Sequence, residues 1–442
     1  AARVRSAWAG KLLVLGGVHE ARALPAGAID LEQVDPEAVP PPPWYRPDPG
    51  RARDLAMVIV SGGGFAAPRA SRITNRRWAF SALGAAATCT LTNRDTVYCC
   101  LPLHHPTAIL VAAGSALAGG ARLALATQFR PDVFWREVRR YGVTIVFYAG
   151  EMCRSLVHAP HTVGEQNHPV RLFAGSGMRP DLWQKLLARF DGFGVLEFYA
   201  STEASAVLAN ASGEKVGAVG RPLPGSPEMA IAAYDFDADE LVRDASGHLV
   251  RARIDEPGML VARLDSPRGI ADVAHLPPAR LLRDAFASGD TWFFTGDILT
   301  IDADGDYWFV DRWGDSIKTA HGPVMSRKVE DALHTVPSII GCCAVGVPAE
   351  RGEVVMAAFA LAPGATLDLA AIAAAVGTLP EHARPRRLHR VASIPMTDGF
   401  RPLKKPILDL GFGDAHDVWE WDAATSSYRA TIRSEAARQA QQ

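Results

Sequence analysis

At 442 residues the chain is too long for one average domain, so two or more are expected. Hydrophobic residues make up 48% and charged residues 21%, the balance of a globular protein with a full core, and a formal net charge of −2 offers no general nucleic-acid surface. The six cysteines (Cys89, Cys99, Cys100, Cys153, Cys342, Cys343) form no CxxC pair and are too few to staple such a chain, which points to a reducing, cytoplasmic compartment.

The opening is AARVRSAWAGKLLVLGG, without Met, and a Pro-rich linker follows over residues 35–50. Four consecutive prolines fit neither a helix interior nor a central strand. A strand over 55–60 then runs into Ser61, Gly62, Gly63 and Gly64. Glycines after a strand let backbone N–H groups curl around a phosphate, or they form a plain flexible turn; no Gly-Lys-Ser/Thr follows, so this is not a Walker loop. A helix is expected over 78–90 and a strand over 95–101. His104 and His105 at the strand's end either line a pocket or form a structural pair. The most apolar window, 108–126, has central glycines and contains Arg122. It reads as a buried helix and then a strand rather than a membrane span.

Strands over 120–126, 144–148, 170–174 and 195–199 alternate with helices over 130–141 and 180–190, the first opened by Pro131. Such alternation implies a mostly parallel sheet, whose ligands sit beyond the carboxyl ends of the strands. Attention therefore falls on His104, on Gly175, Ser176 and Gly177, and on Phe198, Tyr199, Thr202 and Glu203. The Glu203 carboxylate suits Mg²⁺ held against phosphates, or equally a cap or ion pair. From about residue 206 the pattern becomes β-rich. Asp297 follows a strand and a glycine, where one carboxylate matches a pair of ribose hydroxyls. Asp302-Ala303-Asp304-Gly305-Asp306 resembles the start of a calcium loop, but Tyr307-Trp308-Phe309 breaks that pattern, and Asp304-Gly305 reads better as a hairpin turn. Beyond Gly314 an α+β module is expected. Ser326 caps a helix over 327–335, strands lie over 341–347, 354–360 and 388–394, a helix covers 369–376, and 397–405 is a basic turn.

SGGGFAAPRA, LPLHH, HPVRLFAGSGMRPDLW, LEFYASTEAS, FFTGDI, DGDYWFVDRWGDSIK and TDGFRPLKK, in this order, resemble the adenylate-forming superfamily of acyl-CoA synthetases, of the fatty-acid transport protein and very-long-chain acyl-CoA synthetase type. The resemblance implies an α/β fold: a large adenylate-forming domain with mostly parallel sheets and a small β-rich subdomain, then a small α+β C-terminal domain. The corresponding segments are a linker and remnant of a preceding lobe (1–50), the large AMP-binding-like domain (51–312), a small mobile domain (313–410) and a tail (411–442). It also implies ATP, Mg²⁺ and coenzyme A as cofactors. Ser61, Gly62, Gly63, Gly64 and Arg69 would form the phosphate loop, and Gly175, Ser176, Gly177, Phe198 and Tyr199 the adenine pocket. Thr202 would touch phosphate, Glu203 would hold Mg²⁺, Asp297 would take the ribose and Arg312 the ribose and phosphate, with 312–315 as the hinge.

The sequence departs from that family where charge is handled. Gly64 and Phe65 stand where two threonines are usual, and Arg69 where a lysine is. In Thr397-Asp398-Gly399-Phe400 the residue that follows is Arg401 rather than the catalytic lysine; Arg401 is the catalytic candidate in its place, with Lys404 or Lys405, three or four residues off register, as a substitute, and Asp398 brings negative charge close to the phosphate. Each phosphate donor lost without replacement costs about 3–4 kcal/mol in the transition state. The expected function is activation of a long-chain or other lipid carboxylate with ATP, at reduced activity; the alternative is a catalytically inactive binding or scaffold subunit. Only 60 residues precede the glycine loop. The N-terminal lobe is therefore expected to be incomplete and to be completed by a preceding domain or a separate chain, which could bring the protein to the inner face of a membrane.

Overall fold

Val97 to Cys99, Ile145 to Tyr148, and Phe173 with Ala174 are buried at every position. Runs apolar on both faces suit the centre of a parallel sheet covered on both sides. The computed structural model describes residues 12–14, 28–30, 34–35, 38–40, 42–44, 50–61, 69–201, 206–264, 276–410 and 417–431. The chain divides into one unit over 1–51 and another over 52–442. In the first, β1 (Leu12–Val14) pairs in parallel with β2 (Ala28–Asp30).

The second unit opens with the antiparallel pair β3 (Leu55–Ser61) and β4 (Arg69–Thr74), followed by α1 (Asn75–Thr88). Next come β5 (Thr96–Cys99), a π-helical run Thr107–Ala113 continued by α2 (Gly114–Gly119), β6 (Arg122–Leu125) and α3 (Pro131–Tyr141). Then follow β7 (Ile145–Ala149), α4 (Gly150–His158), β8 (Leu172–Ser176), α5 (Pro180–Arg189), β9 (Gly194–Ala200), β10 (Val207–Asn210) and β11 (Arg221–Pro222). They build a seven-stranded sheet in the order β11-β10-β9-β8-β7-β5-β6, parallel from β9 to β6. Phe134, Trp135, Phe173, Trp183 and Phe190 fill its core. Pro131 and Pro180 sit in the first turns of α3 and α5, where a missing N–H costs no helical bond.

The β-rich part is a five-stranded sheet of β12 (Met229–Ala232), β15 (Gly258–Arg263), β16 (Leu281–Arg283), β17 (Thr291–Ile301) and β18 (Tyr307–Arg312), with a hairpin of β13 (Tyr234–Asp235) and β14 (Glu240–Leu241). The turn joining β17 to β18 carries the three aspartates that resemble a calcium loop. Their centre is filled by an ammonium: Lys215 Nζ lies 2.8 Å from Asp302, 2.7 Å from Asp304 and 2.9 Å from Asp306.

The small lobe contains β19 (Ile317–Thr319), β20 (Gly322–Val324), α6 (Ser326–His334), β21 (Ile339–Pro348), β22 (Glu353–Leu361), α7 (Leu369–Gly377), β23 (Arg387–Arg390), α8 (Lys404–Leu410), β24 (Val418–Asp422) and β25 (Ser427–Ala430). Its sheet runs β20-β19-β22-β23-β24-β25, with β21 also on β22.

Several expectations are corrected. The 411–442 segment is not simply a tail. Val418, Trp419 and Tyr428 are buried in the small-lobe sheet, and the Tyr428 hydroxyl donates to the Pro385 carbonyl at 2.8 Å. The basic turn over 397–405 gives way to α8 at Lys404, because Ile407 is buried against β21. Helix α4 was not anticipated, although Met152, Cys153 and Leu156 give it a buried helical face. Ser326 does not cap α6 with its own oxygen. Asp311 of β18 accepts from the Arg327 N–H at 3.0 Å and the Ser326 hydroxyl at 3.2 Å, so a carboxylate of the large domain closes the helix N-terminus.

Candidate active site

Asp297 is aimed by a bulge. On β15, Met259 and Val261 pair with Ile298 and Phe294 of β17, so Leu260 alone faces Thr295, Gly296 and Asp297. Gly296 takes a left-handed φ of 79°, a conformation most side chains resist. The excess length turns the Asp297 carboxylate outward. There its Oδ2 accepts from the Tyr199 hydroxyl at 2.6 Å and its Oδ1 lies 3.4 Å from Arg312 Nε. Asp297 and Arg312 are also register partners on β17 and β18. The trio presents an anionic acceptor flanked by a cation and a phenol.

A second structure lies at the carboxyl ends of β7, β8 and β9. Tyr148, Gly175 and Glu197 are successive register partners across the three strands. A Cβ on Gly175 would stand 2.6 Å from the Tyr148 ring and 2.3 Å from its carbonyl oxygen. The bare glycine lets the tyrosine cross β8, and its hydroxyl donates to Glu197 Oε2 in a short hydrogen bond. The other carboxyl oxygen accepts from the Gly177 N–H at 2.5 Å and from the Met178 N–H at 3.2 Å. Glu197 is 2% exposed, and burial pushes its carboxyl up to about 8 against the pull of those donors. Gly177 is left-handed at φ 88°, and a Cβ on Gly150 would lie 1.9 Å from its carbonyl oxygen. The 175–178 turn is thus fixed from two sides.

The small lobe closes over this region through residues 397–401. Phe400, left-handed at φ 59°, packs on the large domain with its ring 5.8 Å from that of Phe129 at 82°. A left-handed non-glycine costs roughly 1 kcal/mol or more and persists only where its surroundings hold it. Gly399 leaves room for His105, whose ring would sit 2.8 Å from any Cβ there. Burial and the nearby Arg401 lower His105 to about 4, so it stays neutral against the loop. The Asp398 carboxylate lies 3.8 Å from His104 Nε2, with both side chains largely exposed. Arg401 is an exposed residue that lies within charge range of Arg312 and Asp297. The like charge of Arg312 foremost, and then desolvation, lowers it to about 10, while Asp297, Asp315 and Tyr199 pull the other way. Two guanidinia therefore converge beside Asp297, a natural receptor for phosphate.

Lys404 does not share that cleft. Its Nζ donates to the Asp315 carbonyl at 3.1 Å and the Ser326 hydroxyl at 2.9 Å, next to the 312–315 hinge. Behind it, Arg179 at the start of α5 pairs with Glu330 at 2.6 Å and with Asp331 of α6, bridging the lobes.

Of the residues singled out from sequence, Tyr199, Asp297, Arg312 and Arg401 come together. Gly175, Ser176 and Gly177 form the neighbouring turn. Phe198 lies on the face of β9 opposite Glu197 and Tyr199, against the core cluster of Val97 and Ala174. Ser61 and Arg69 are register partners at the ends of β3 and β4. Gly62, Gly63, Gly64, Phe65, Thr202 and Glu203 lie outside the described residues, and with Glu203 goes the expected Mg²⁺ ligand. Among the described residues no group of three or more His, Cys, Asp or Glu is arranged to hold a metal ion. Sequence reasoning missed Glu197, Arg179 and the anchoring by Phe400. For Glu197 a signal existed: a carboxylate inside the apolar run Val195 to Tyr199 needs donors.

A parallel-sheet domain with polar groups at its strand ends, closed by a small α+β lobe bearing a cation, defines a two-domain α/β architecture of the adenylate-forming kind. The AMP-binding enzyme family model matches residues 16–255, and the model of its C-terminal domain matches 328–400. The chain belongs to the AMP-binding enzyme family. It is 33% identical over 402 residues to human long-chain fatty acid transport protein 3, covering 88% of this chain and 58% of that protein. It is 35% identical over 374 residues to the medium/long-chain-fatty-acid–CoA ligase FadD6 of Mycobacterium tuberculosis, covering 82% and 61%. The chain thus spans about 60% of the length of these curated relatives. Among solved structures, ATP-bound MatB from Rhodopseudomonas palustris superposes with a TM-score of 0.67 at 21% identity, covering 81% of this chain and 69% of that one. The amide bond synthetase McbA from Marinactinospora thermotolerans gives 0.61 at 26% identity, covering 81% and 69%. Among the described residues no helix is long and apolar enough to cross a membrane.

Proposed function

We propose that this chain carries the nucleotide-binding and lobe-closing parts of an ATP-dependent ligase that activates a long-chain carboxylate for transfer to coenzyme A. The observation that carries the reading is Arg401, delivered by the docked 397–401 loop beside Tyr199, Asp297 and Arg312. The names of the fatty-acid relatives support the substrate class.

The chemistry follows from these groups. Asp297 has lone pairs beyond those used by Tyr199 and Arg312, enough to accept from ribose hydroxyls. The substrate carboxylate attacks the α-phosphorus of ATP, the bond to the bridging oxygen breaks, and pyrophosphate leaves with its electron pair. A thiolate then attacks the acyl carbon, the bond from that carbon to the phosphate oxygen breaks, and AMP leaves with the electron pair. Mg²⁺, when bound, neutralises phosphate charge, with Glu203 as its proposed ligand. Arg312 and Arg401 screen the charge that develops on phosphate oxygens, and loop closure limits water.

Arg401 also motivates the second reading, a binding-only descendant, since a planar guanidinium replaces a point charge. Pyrophosphate release from the full-length protein with ATP, Mg²⁺ and fatty acids of graded length decides between them. Release that depends on fatty acid supports the ligase. A trace indistinguishable from the protein-free control at every chain length rejects it in favour of the binding module.

A further inference from the structure

We propose that Glu197 is the positioning residue of the nucleotide-base site: its buried carboxyl, reached by Tyr148 across Gly175, holds the 175–178 turn in the shape that accepts the base. The inference rests on the proposed nucleotide reading, in which that turn forms one wall of the base pocket. Three facts carry it. The carboxyl accepts both the Gly177 and the Met178 N–H, the two donors that leave the end of β8. The register Tyr148–Gly175–Glu197 makes this a designed crossing of three strands, because any side chain at 175 would block the phenol. And Gly150 presses on the Gly177 carbonyl from the other side, so the turn has no slack of its own.

Glu197 is 2% exposed and therefore shielded from anything in the cleft. It acts through the backbone it holds, and its hydrogen bonds survive a change in its proton. If Oε2 carries the proton, it donates to the Tyr148 oxygen, and the phenol proton can turn to the Leu196 carbonyl, 3.4 Å away. The two N–H bonds to Oε1 remain in either state. A glutamine reproduces this pattern, with its oxygen toward the turn and its amide toward Tyr148, whereas a methionine of similar length leaves both N–H groups without an acceptor.

The test compares Glu197→Gln and Glu197→Met in the full-length protein, with ATP and adenosine as the probes. Glu197→Met is expected to raise KM for ATP and weaken adenosine binding by about tenfold, the effect of leaving two buried N–H donors without an acceptor. KM for the fatty acid and kcat at saturating ATP should stay within about twofold, and Glu197→Gln should restore the ATP value to within about threefold. A general loss of structure would move all of these together. If the wild-type protein binds neither ATP nor adenosine, the nucleotide reading itself falls, and this assignment with it. If the wild-type protein binds both and Glu197→Met binds them equally well, only the assignment falls. Should Glu197→Met fail to fold, amide exchange in the wild-type protein serves instead. The Gly177 and Met178 amides are expected to be protected and slowed further by adenosine, and exchange unaffected by adenosine overturns the proposal.

Discussion

Replacing Arg179 by methionine should loosen the small lobe. Its guanidinium is 11% exposed and bridges α5 to Glu330, 8% exposed, and to Asp331, 50% exposed. The exposed Asp331 arm contributes little, because water screens it. Glu330 is the expensive partner: burial pushes its carboxyl up, Arg179 pulls it back, and Oε1 accepts the Ala344 N–H at 3.1 Å. Removing one side of a buried pair costs about 3–5 kcal/mol, since a charge is left without its counterion. Some of this returns when Glu330 takes a proton. With its folded pKa raised above 4.5, the variant should regain stability as pH falls toward that value and lose it as pH rises. The assay is a double-mutant cycle of Arg179→Met and Glu330→Gln, read by urea unfolding and by pyrophosphate release. A coupling of about 2 kcal/mol is expected, with a fall in turnover of roughly 5- to 30-fold if lobe closure shifts by one or two kcal/mol. A coupling near zero, or full turnover in the Arg179→Met variant, would refute the view that this pair holds the lobes in the arrangement that delivers Arg401.

Phe400→Ala should remove the ring that docks the 397–401 loop, slowing pyrophosphate release by about fivefold for roughly 1 kcal/mol of aromatic contact, while thermal unfolding of the large domain stays unchanged; an unchanged rate would show that the loop docks without it. Gly150→Ala should destabilise the fold by about 3 kcal/mol or more in urea, because its methyl would sit 1.9 Å from the Gly177 oxygen. Glu197 is held up to about 8 against an ordinary 4.5, so its contribution to stability is full below 4.5 and fades as pH rises toward 8. Unfolding measured across that window should show the decline in the wild-type protein and less of it in Glu197→Gln.

The parallel sheet could be read from sequence because its signals are local. Val, Ile and aromatic runs mark β5, β7, β8 and β9, and first-turn prolines mark α3 and α5. The hairpin at Asp304-Gly305 was legible for the same reason. Asp297 was found as a candidate, but its aim depends on a bulge set by β15, a partner thirty-odd residues away, which no local pattern reports. Glu197 was lost because its hydrogen-bond partners belong to β7 and to the turn after β8. In a single strand it looks like one polar residue among apolar ones. Lys404 and Arg401 are cations three residues apart, yet α8 begins at Lys404, whose ammonium goes to the hinge while Arg401 stays in the preceding loop near Arg312. The small-lobe strands at 418–422 and 427–430 were missed because short strands near a polar terminus give little periodicity.

Lys215, seated among Asp302, Asp304 and Asp306, gives the β17–β18 turn a counterion that is part of the chain itself. Chelators have nothing to extract there, and added calcium must first displace a covalently tethered competitor. High salt, by contrast, should soften the turn by weakening all three attractions at once.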